Sequence, residues 1–370
     1  MPMRMSQAVT DLSRLLSACP LGCRIVKALY YRGSVGGLEW REDPAPEILA
    51  PSDALVRPIA ASTCDLDQAI VHTAVPGAEQ AFAIGHEAVG EVIEVGSRVT
   101  RVRPGDTVVI PYHLSCGACD RCRDDLPLFC RQTAAEALAV YGIPVGAEYG
   151  GLFSELARVP FADYGLVKLP PSVSPLDAVS VGDNLTDAYR SIAPRLRARP
   201  GSDVLIMSGG SIGLYAADTA RAFGARFVRY VDASTQRRGL AAGFGAEVST
   251  LEDFDPGEHE YAISLVTHGS VDALRAALLA TGPAGEVENL GFHFADVPLP
   301  VAAMHFKCLT FRSALSNARP LIPEVLALVA SGRISPRLIQ TAVLPFDEAA
   351  DALPSAGFKP VFVRDPLNLD

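Results

Sequence analysis

A chain of 370 residues with 49% apolar residues can bury more than one core, and typical domain sizes make two domains the expectation. Its 42 acidic and 32 basic residues leave a net charge of -10 without any Lys/Arg block, which disfavours nucleic acid or an anionic membrane and favours a small-molecule ligand. No apolar run approaches the roughly 18 to 20 residues that span a bilayer, and the first segment lacks the uninterrupted apolar middle of a signal peptide, so the cytoplasm is the expected compartment.

Residues 1–25 read as an N-terminal extension with Val9, Leu12, Leu15 and Leu16 on one side of a helical pattern. VKALYYRG from Val26 already reads as a first strand, and a translation start at Val26 through a non-standard codon is one expectation for the native gene. From Ile25 to about Phe161 the segments are short, β-branched and separated by Gly, Pro and Asp, which predicts an antiparallel, barrel-like fold.

Within that region Gly85-His86-Glu87 offers an imidazole and a carboxylate just before the alternating strand EVIEVG. A single histidine at a strand start is ordinarily a satisfied structural residue, so a site there needs partners from elsewhere. Further on, Cys116, Cys119, Cys122 and Cys130 form a C-x2-C-x2-C-x7-C run, and short turns bring four thiols within reach of one tetrahedral ion. The bacterial iron-sulfur run closes after three residues on Cys-Pro, whereas seven intervene here and Arg131 follows. Two disulfides would need an oxidising compartment. A closed structural zinc lobe over 113–131 is therefore expected, with folding of the lobe dependent on metal. Of the eight cysteines, Cys19, Cys23 and Cys308 stay unassigned.

After about Pro171 the texture changes to helices alternating with apolar strands: DVLIM, RFVRYVD, YAISLVT and GEVENLGF. Such alternation predicts a parallel doubly wound sheet. The strand Asp203 to Met207 runs into Ser208-Gly209-Gly210-Ser211-Ile212-Gly213 and then into a helix, the context of a pyrophosphate loop. Gly210 would admit the phosphates and Gly213 would let helix and strand pack closely. Ser208 stands where the motif has its first glycine. The next strand ends in Asp232, at the spacing of an acid that accepts the ribose 2′-hydroxyl of NAD and repels the 2′-phosphate of NADP; its alternative role is the N-cap of a helix near Thr235. Helices near 323–330 and 347–353 complete the reading.

Taken singly, Cys64 in ASTCDLD reads as a small buried hydrophobe, His86 as a strand-end hydrogen-bonder and Asp183 in VGDNLTDAY as a helix cap. Together with the four-cysteine lobe, the GHE continued by VGEVIEVGSRVTRVRPGD, and the strand-loop-helix with Asp232, they occur in an order that resembles the medium-chain, zinc-dependent alcohol dehydrogenases. The resemblance runs over nearly everything from Val26 onward. Asp183 in place of a cysteine, with RVPFADYGLVKLP before it, leans toward the branch of glutathione-independent formaldehyde, polyol and threonine dehydrogenases.

The resemblance implies an α/β protein: a Rossmann doubly wound parallel sheet over 184–310, and a GroES-like, mainly antiparallel β catalytic domain over 26–183 and 311–370, with the active site in the cleft between them. It implies two zinc ions per chain. The catalytic one would be held by Cys64, His86 and Asp183, with Glu87 beside it or as a transient ligand, leaving a fourth position open as a catalytic zinc requires. It further implies NAD on Gly209, Gly210, Ser211, Ile212, Gly213 and Asp232, with Arg237 near the adenosine ribose and Lys359 approaching the pyrophosphate, and a homodimer or homotetramer. Two departures stand out. The Ser/Thr and His of the family's proton relay are Leu66 and Ala69 here, which cannot carry a proton. Another hydroxyl position falls on Asp187, which would either accept a proton or anchor its helix.

The expected function is hydride transfer between NAD(H) and an alcohol, aldehyde or ketone. The competing readings are an NAD(P)H-dependent reductase of an activated C=C or C=N bond on the same fold, and a non-catalytic cofactor-binding redox sensor.

Overall fold

A computed structural model of the protein describes residues 25–72, 77–134 and 138–367. The helical pattern expected over the first residues, with Cys19 and Cys23, lies outside them. The chain divides into two compact units. The first comprises 1–183, 317–326 and 340–370, and the second 184–316 and 327–339.

The first unit is antiparallel β, as its short β-branched segments require. β1 (Ile25–Tyr31) pairs with β2 (Leu38–Pro44) and with β4 (Phe82–Ala83). A seven-stranded sheet is built from β3 (Ala54–Ser62), β5 (Glu87–Val95), β6 (Thr107–Ile110), β7 (Ala157–Val159), β8 (Val167–Lys168), β15 (Ala342–Pro345) and β16 (Pro360–Val363) in the order β15-β16-β3-β5-β6-β8, with β7 also on β3. β3 is buried along its whole length, because one face meets a core of Leu29, Phe153, Ile110 and Phe362 and the other is also covered. Strand register determines which loops meet. β3 and β5 pair antiparallel with Ser62 opposite Glu87, so the residues just past the end of β3 and just before the start of β5 come together at the same end of the sheet. Val361 of β16 pairs with Ser62 and Ile110 of β6 with Ala88, which brings two further segments to that end. Helix α1 (Asp65–His72) leaves β3 there.

The second unit holds six parallel strands, β9 (Asp203–Met207), β10 (Phe227–Val231), β11 (Glu247–Ser249), β12 (Tyr261–Val266), β13 (Thr281–Asn289) and β14 (Thr310–Ser313). Their order β11-β10-β9-β12-β13-β14 is that of a doubly wound nucleotide-binding sheet, with the switch point between β9 and β12. β14 keeps the sheet going past residue 310, where the resemblance places the boundary. β9 is buried at every position, so it reads as a continuous apolar run instead of alternating. Around it lie α2 (Asn184–Ala198), α3 (Ser211–Ala222), α4 (Thr235–Gly243) and α5 (Val271–Ala280). Ser234 caps α4 by accepting from the Arg237 N–H, and Ser270 caps α5 by accepting from Asp272 and Ala273. Met207, Val266, Leu274 and Leu278 form the core on one face of this sheet.

Candidate metal and cofactor sites

Cys64 lies two residues past β3 and His86 one residue before β5, so the antiparallel register brings them together. Gly85 has φ +93, and a side chain there would strike the Phe153 ring, so glycine is what lets the chain turn and aim His86. Asp183 ends the first unit, where Tyr112 donates its N–H to the neighbouring Gly182 carbonyl. Cys64 and His86 are buried, and Asp183, which is half-buried, faces His86 from the other side. His86 Nε2 stands 3.5 Å from Asp183 Oδ2, close to the roughly 3.4 Å between two ligands of a tetrahedral ion with bonds of about 2.1 Å. A sulfur, a nitrogen and an oxygen donor of this kind suit zinc.

A fourth group, Asp67, does not stand out in the sequence. It is almost fully buried, its Oδ2 accepts from the Cys64 N–H at 2.9 Å, and its Oδ1 faces His86 Nδ1 at 3.6 Å. Cys64, Asp67 and His86 form one potential ligand cluster. Nδ1 faces Asp67 and Nε2 faces Asp183, so the charge of Asp67 favours a proton on Nδ1 and leaves Nε2 toward the metal position, although 3.6 Å is longer than a hydrogen bond. The signal in the sequence is the second acid of C-D-L-D, early in a helix that starts at the zinc cysteine.

The electrostatics are those of a cluster suited to a cation. Burial pushes the Cys64 thiol up to about 12 although His86 pulls it down. Burial would lower His86, but Asp67, Cys64 and Asp183 outweigh it and hold the imidazole well above its ordinary value. Burial likewise raises Asp67. Beside the cluster, Glu87 is fully buried. Burial raises its carboxyl, and Lys359 opposes that. Glu87 Oε2 accepts from Lys359 Nζ at 2.5 Å and from Ser180 Oγ at 2.9 Å, and Lys359 also donates to the Thr63 carbonyl. The expectation that Lys359 approaches the pyrophosphate is therefore corrected: it precedes β16, which pairs with β3, so its side chain is drawn inward to the Glu87 carboxylate. Leu66 and Ala69 lie on α1, and Leu66 packs against the main core.

In the lobe, the sulfurs of Cys116, Cys119, Cys122 and Cys130 all lie within 4.8 Å of one another. Cys116 and Cys122 are 3.9 Å apart, and Cys119 and Cys122 are 3.5 Å apart. Four sulfurs at about 2.3 Å from one ion would be about 3.8 Å apart, whereas a disulfide needs about 2.05 Å. Backbone N–H groups donate to them: Ala118 and Cys119 to Cys116, and Cys116 to Cys130. Although burial opposes it, such N–H donors hold the Cys119 thiol down at about 6. Cys130 is lowered as well, while burial raises Cys116 and Cys122; four sulfurs at this spacing with N–H donors around them fit zinc.

The dinucleotide loop is in the second unit. β9 passes into α3 through Ser208, Gly209 and Gly210, with Gly210 at the N-cap and Ser211, Ile212 and Gly213 in the first turn. A Cβ on Gly213 would come within 2.2 Å of Ser208 Oγ, so glycine is required for helix and strand to approach this closely. Asp232 follows β10. Its side chain is covered by Arg237, which donates twice, from Nε and Nη2, each at 2.7 Å. The helix cap is Ser234, and not Asp232. Asp187 on α2 pairs with Arg190 Nε at 2.6 Å, and Arg190 reaches on to buried Glu288.

Residues 50–171 match the family described as the alcohol dehydrogenase GroES-like domain. A probable zinc-binding alcohol dehydrogenase of Mycobacterium tuberculosis is 30% identical over 329 residues, 87% of this chain and 83% of that protein. The chain belongs to the medium-chain, zinc-dependent alcohol dehydrogenase family. Glutathione-independent formaldehyde dehydrogenase of Pseudomonas aeruginosa is 31% identical over 249 residues, 64% of this chain and 61% of that protein. The structure of alcohol dehydrogenase TADH from Thermus sp. ATN1 superposes with a TM-score of 0.81 at 33% identity, covering 91% of this chain and 99% of that one. Membership makes this chain a zinc-type oxidoreductase that works with a nicotinamide cofactor, and it accounts for both sheets. No helix among the described residues is long and apolar enough to cross a membrane.

Proposed function

We propose that this chain is an NAD-dependent dehydrogenase that moves a hydride between the nicotinamide and the carbon of an alcohol or carbonyl group, with a catalytic zinc on Cys64, His86 and Asp183 and a structural zinc on Cys116, Cys119, Cys122 and Cys130. The observation that carries the proposal is the buried Cys64–Asp67–His86 cluster, with Asp183 Oδ2 3.5 Å from His86 Nε2 on the side away from Asp67. When bound at the first site, zinc supplies a Lewis acid that draws electron density from a substrate oxygen.

The chain's own residues do the rest. Asp67 orients His86 and, through the Cys64 N–H, sets the backbone that carries the sulfur. Glu87, paired with Lys359 and hydrogen-bonded by Ser180, puts a compensated carboxyl group beside the ligands and braces that end of the sheet. Leu66 and Ala69 offer no proton carrier, so a proton leaving the substrate goes directly to water or hydroxide. The ion pair with Arg190 supports the helix-anchoring role for Asp187 over the relay role.

Asp232, Arg237 and residues 209–213 would hold the cofactor's adenosine half, and the carboxylate at 232 is the reason to expect NAD over NADP. Formaldehyde and small alcohols are the first substrates to try, given the relatives. A homodimer or homotetramer in the cytoplasm is the expected setting.

The test is steady-state turnover with NAD and NADP on panels of alcohols, aldehydes and enones. NAD-linked turnover of alcohols or aldehydes that His86→Ala abolishes in a folded protein is the expected result. Asp232→Ala should relax the cofactor preference, and a wild-type enzyme that already favours NADP would refute that role. Leucine and alanine at the relay positions 66 and 69 favour one second reading, reduction of an activated C=C or C=N bond. Weak alcohol turnover beside efficient enone reduction would put that reading first.

A further inference from the structure

Ser208 occupies the position of the first glycine in the dinucleotide motif, yet it is not a tolerated defect. It is buried, as are Tyr230 and Asp232. The Tyr230 hydroxyl is 2.8 Å from Ser208 Oγ and 3.0 Å from Asp232 Oδ2, and Ser208 Oγ donates to the Gly210 carbonyl at 3.2 Å. A phenol carries one proton, so the two bonds from Tyr230 are alternatives. Burial, and after it the charge of Asp232, push Tyr230 well above the ordinary phenol value, so that proton is retained.

The acceptor count at Asp232 gives the choice a consequence. Oδ1 accepts from the Ser234 N–H at 2.8 Å and from Arg237 Nη2, and Oδ2 accepts from Arg237 Nε and from Tyr230. A carboxylate has about four lone-pair sites, and all four are taken. A ribose hydroxyl can bond to Asp232 only if donors let go. Arg237 holds both oxygens at 2.7 Å and the Ser234 N–H is fixed at the start of α4, so the donor that can let go without moving a heavy atom is Tyr230. Tyr230 is fully enclosed, so if its proton simply lost Asp232 it would be a buried donor without a partner, which is unfavourable.

We propose that Tyr230 and Ser208 form a proton-exchange pair that positions Asp232 for the cofactor: when a ribose hydroxyl donates to Asp232 Oδ2, the Tyr230 proton turns to Ser208, which stands in the glycine position to receive it. No heavy atom moves. The Ser208 proton stays on the Gly210 carbonyl, so the phosphate loop is held in both settings. This rests on the reading of 208–213 and Asp232 as a dinucleotide site.

The two hydroxyls then have opposite effects, which a fixed brace would not give. Ser208→Ala removes the second acceptor, so ribose binding must strand or compete with the Tyr230 proton. Tyr230→Phe removes the competing donor, so Asp232 keeps a free lone pair for the ribose. Isothermal titration of the full-length protein with ADP-ribose, which has the adenosine half without the nicotinamide, reads this directly. Expected are a Kd raised on the order of ten-fold for Ser208→Ala, no weakening for Tyr230→Phe, and no further loss when Ser208→Ala is added to Tyr230→Phe. Unchanged affinity in Ser208→Ala, or equal weakening in both single variants, would overturn the exchange. If Ser208→Ala melts early, Ser208→Gly removes the same acceptor in the motif's own residue and carries the same expectations. Wild-type protein that fails to bind ADP-ribose, NAD and NADP alike would instead overturn the dinucleotide reading.

Discussion

Lys359 Nζ lies 2.5 Å from Glu87 Oε2, and both side chains are fully excluded from solvent. A lysine so enclosed needs a carboxyl partner, and Ser180 and the Thr63 carbonyl add hydrogen bonds to the pair. The pair ties β16 to the start of β5 and so holds the end of the sheet from which His86 projects.

Lys359→Met should therefore destabilise the protein by about 3 to 5 kcal/mol, because it leaves a buried carboxylate without compensation. Lys359→Met with Glu87→Gln should recover part of the loss. Urea unfolding of the three proteins checks this, and a single variant as stable as wild type would show that the pair does not support the sheet.

Asp67→Asn keeps the shape of the side chain and removes its charge. The Asn oxygen can still accept from the Cys64 N–H, but the hold on His86 weakens. Loss of such a supporting carboxylate typically costs about 10- to 100-fold in metal affinity or activity. Chelator competition should show that loss at the Cys64–His86–Asp183 site alone, with the four-cysteine lobe retaining its metal.

Without hydroxyl or imidazole at Leu66 and Ala69, turnover on simple alcohols should be slow near neutral pH and should rise with pH as hydroxide takes the proton. Leu66→Ser with Ala69→His should raise the rate most below pH 8, within the roughly 100- to 10,000-fold typical of general acid-base assistance. Asp187→Asn should lower thermal stability through Arg190 and Glu288 while leaving the shape of the pH profile unchanged. Fast wild-type oxidation at pH 7 would show that the proton has a route other than direct transfer to hydroxide.

Much of this architecture is legible in the sequence because it rests on local rules. Four cysteines spaced by turns, a strand that becomes a glycine-rich helix start, and alternating texture after Pro171 each announce themselves within one segment. Cys64, His86 and Asp183 can be named from sequence only through their ordered resemblance to a family, since what joins them is the β3–β5 register and a turn at Gly182. Asp67 escapes notice because an acid early in a helix looks like a cap, and it does accept a backbone N–H as a cap would. Lys359 misleads because lysine is rarely buried, and only the pairing of β16 with β3 reveals the carboxylate waiting for it. Tyr230 is hidden for the opposite reason: an aromatic residue in a central strand is ordinary core, and its hydroxyl gains meaning only from Ser208 and Asp232 on either side.

The central claim is that this chain carries two separate zinc sites, one catalytic and one structural. Zinc per chain, measured by elemental analysis of purified wild-type, His86→Ala and Cys119→Ser proteins, tests it most directly. Two ions are predicted in wild type and one in each variant, with His86→Ala inactive but folded and Cys119→Ser destabilised. One ion or none in wild type, or two retained in His86→Ala, would contradict it.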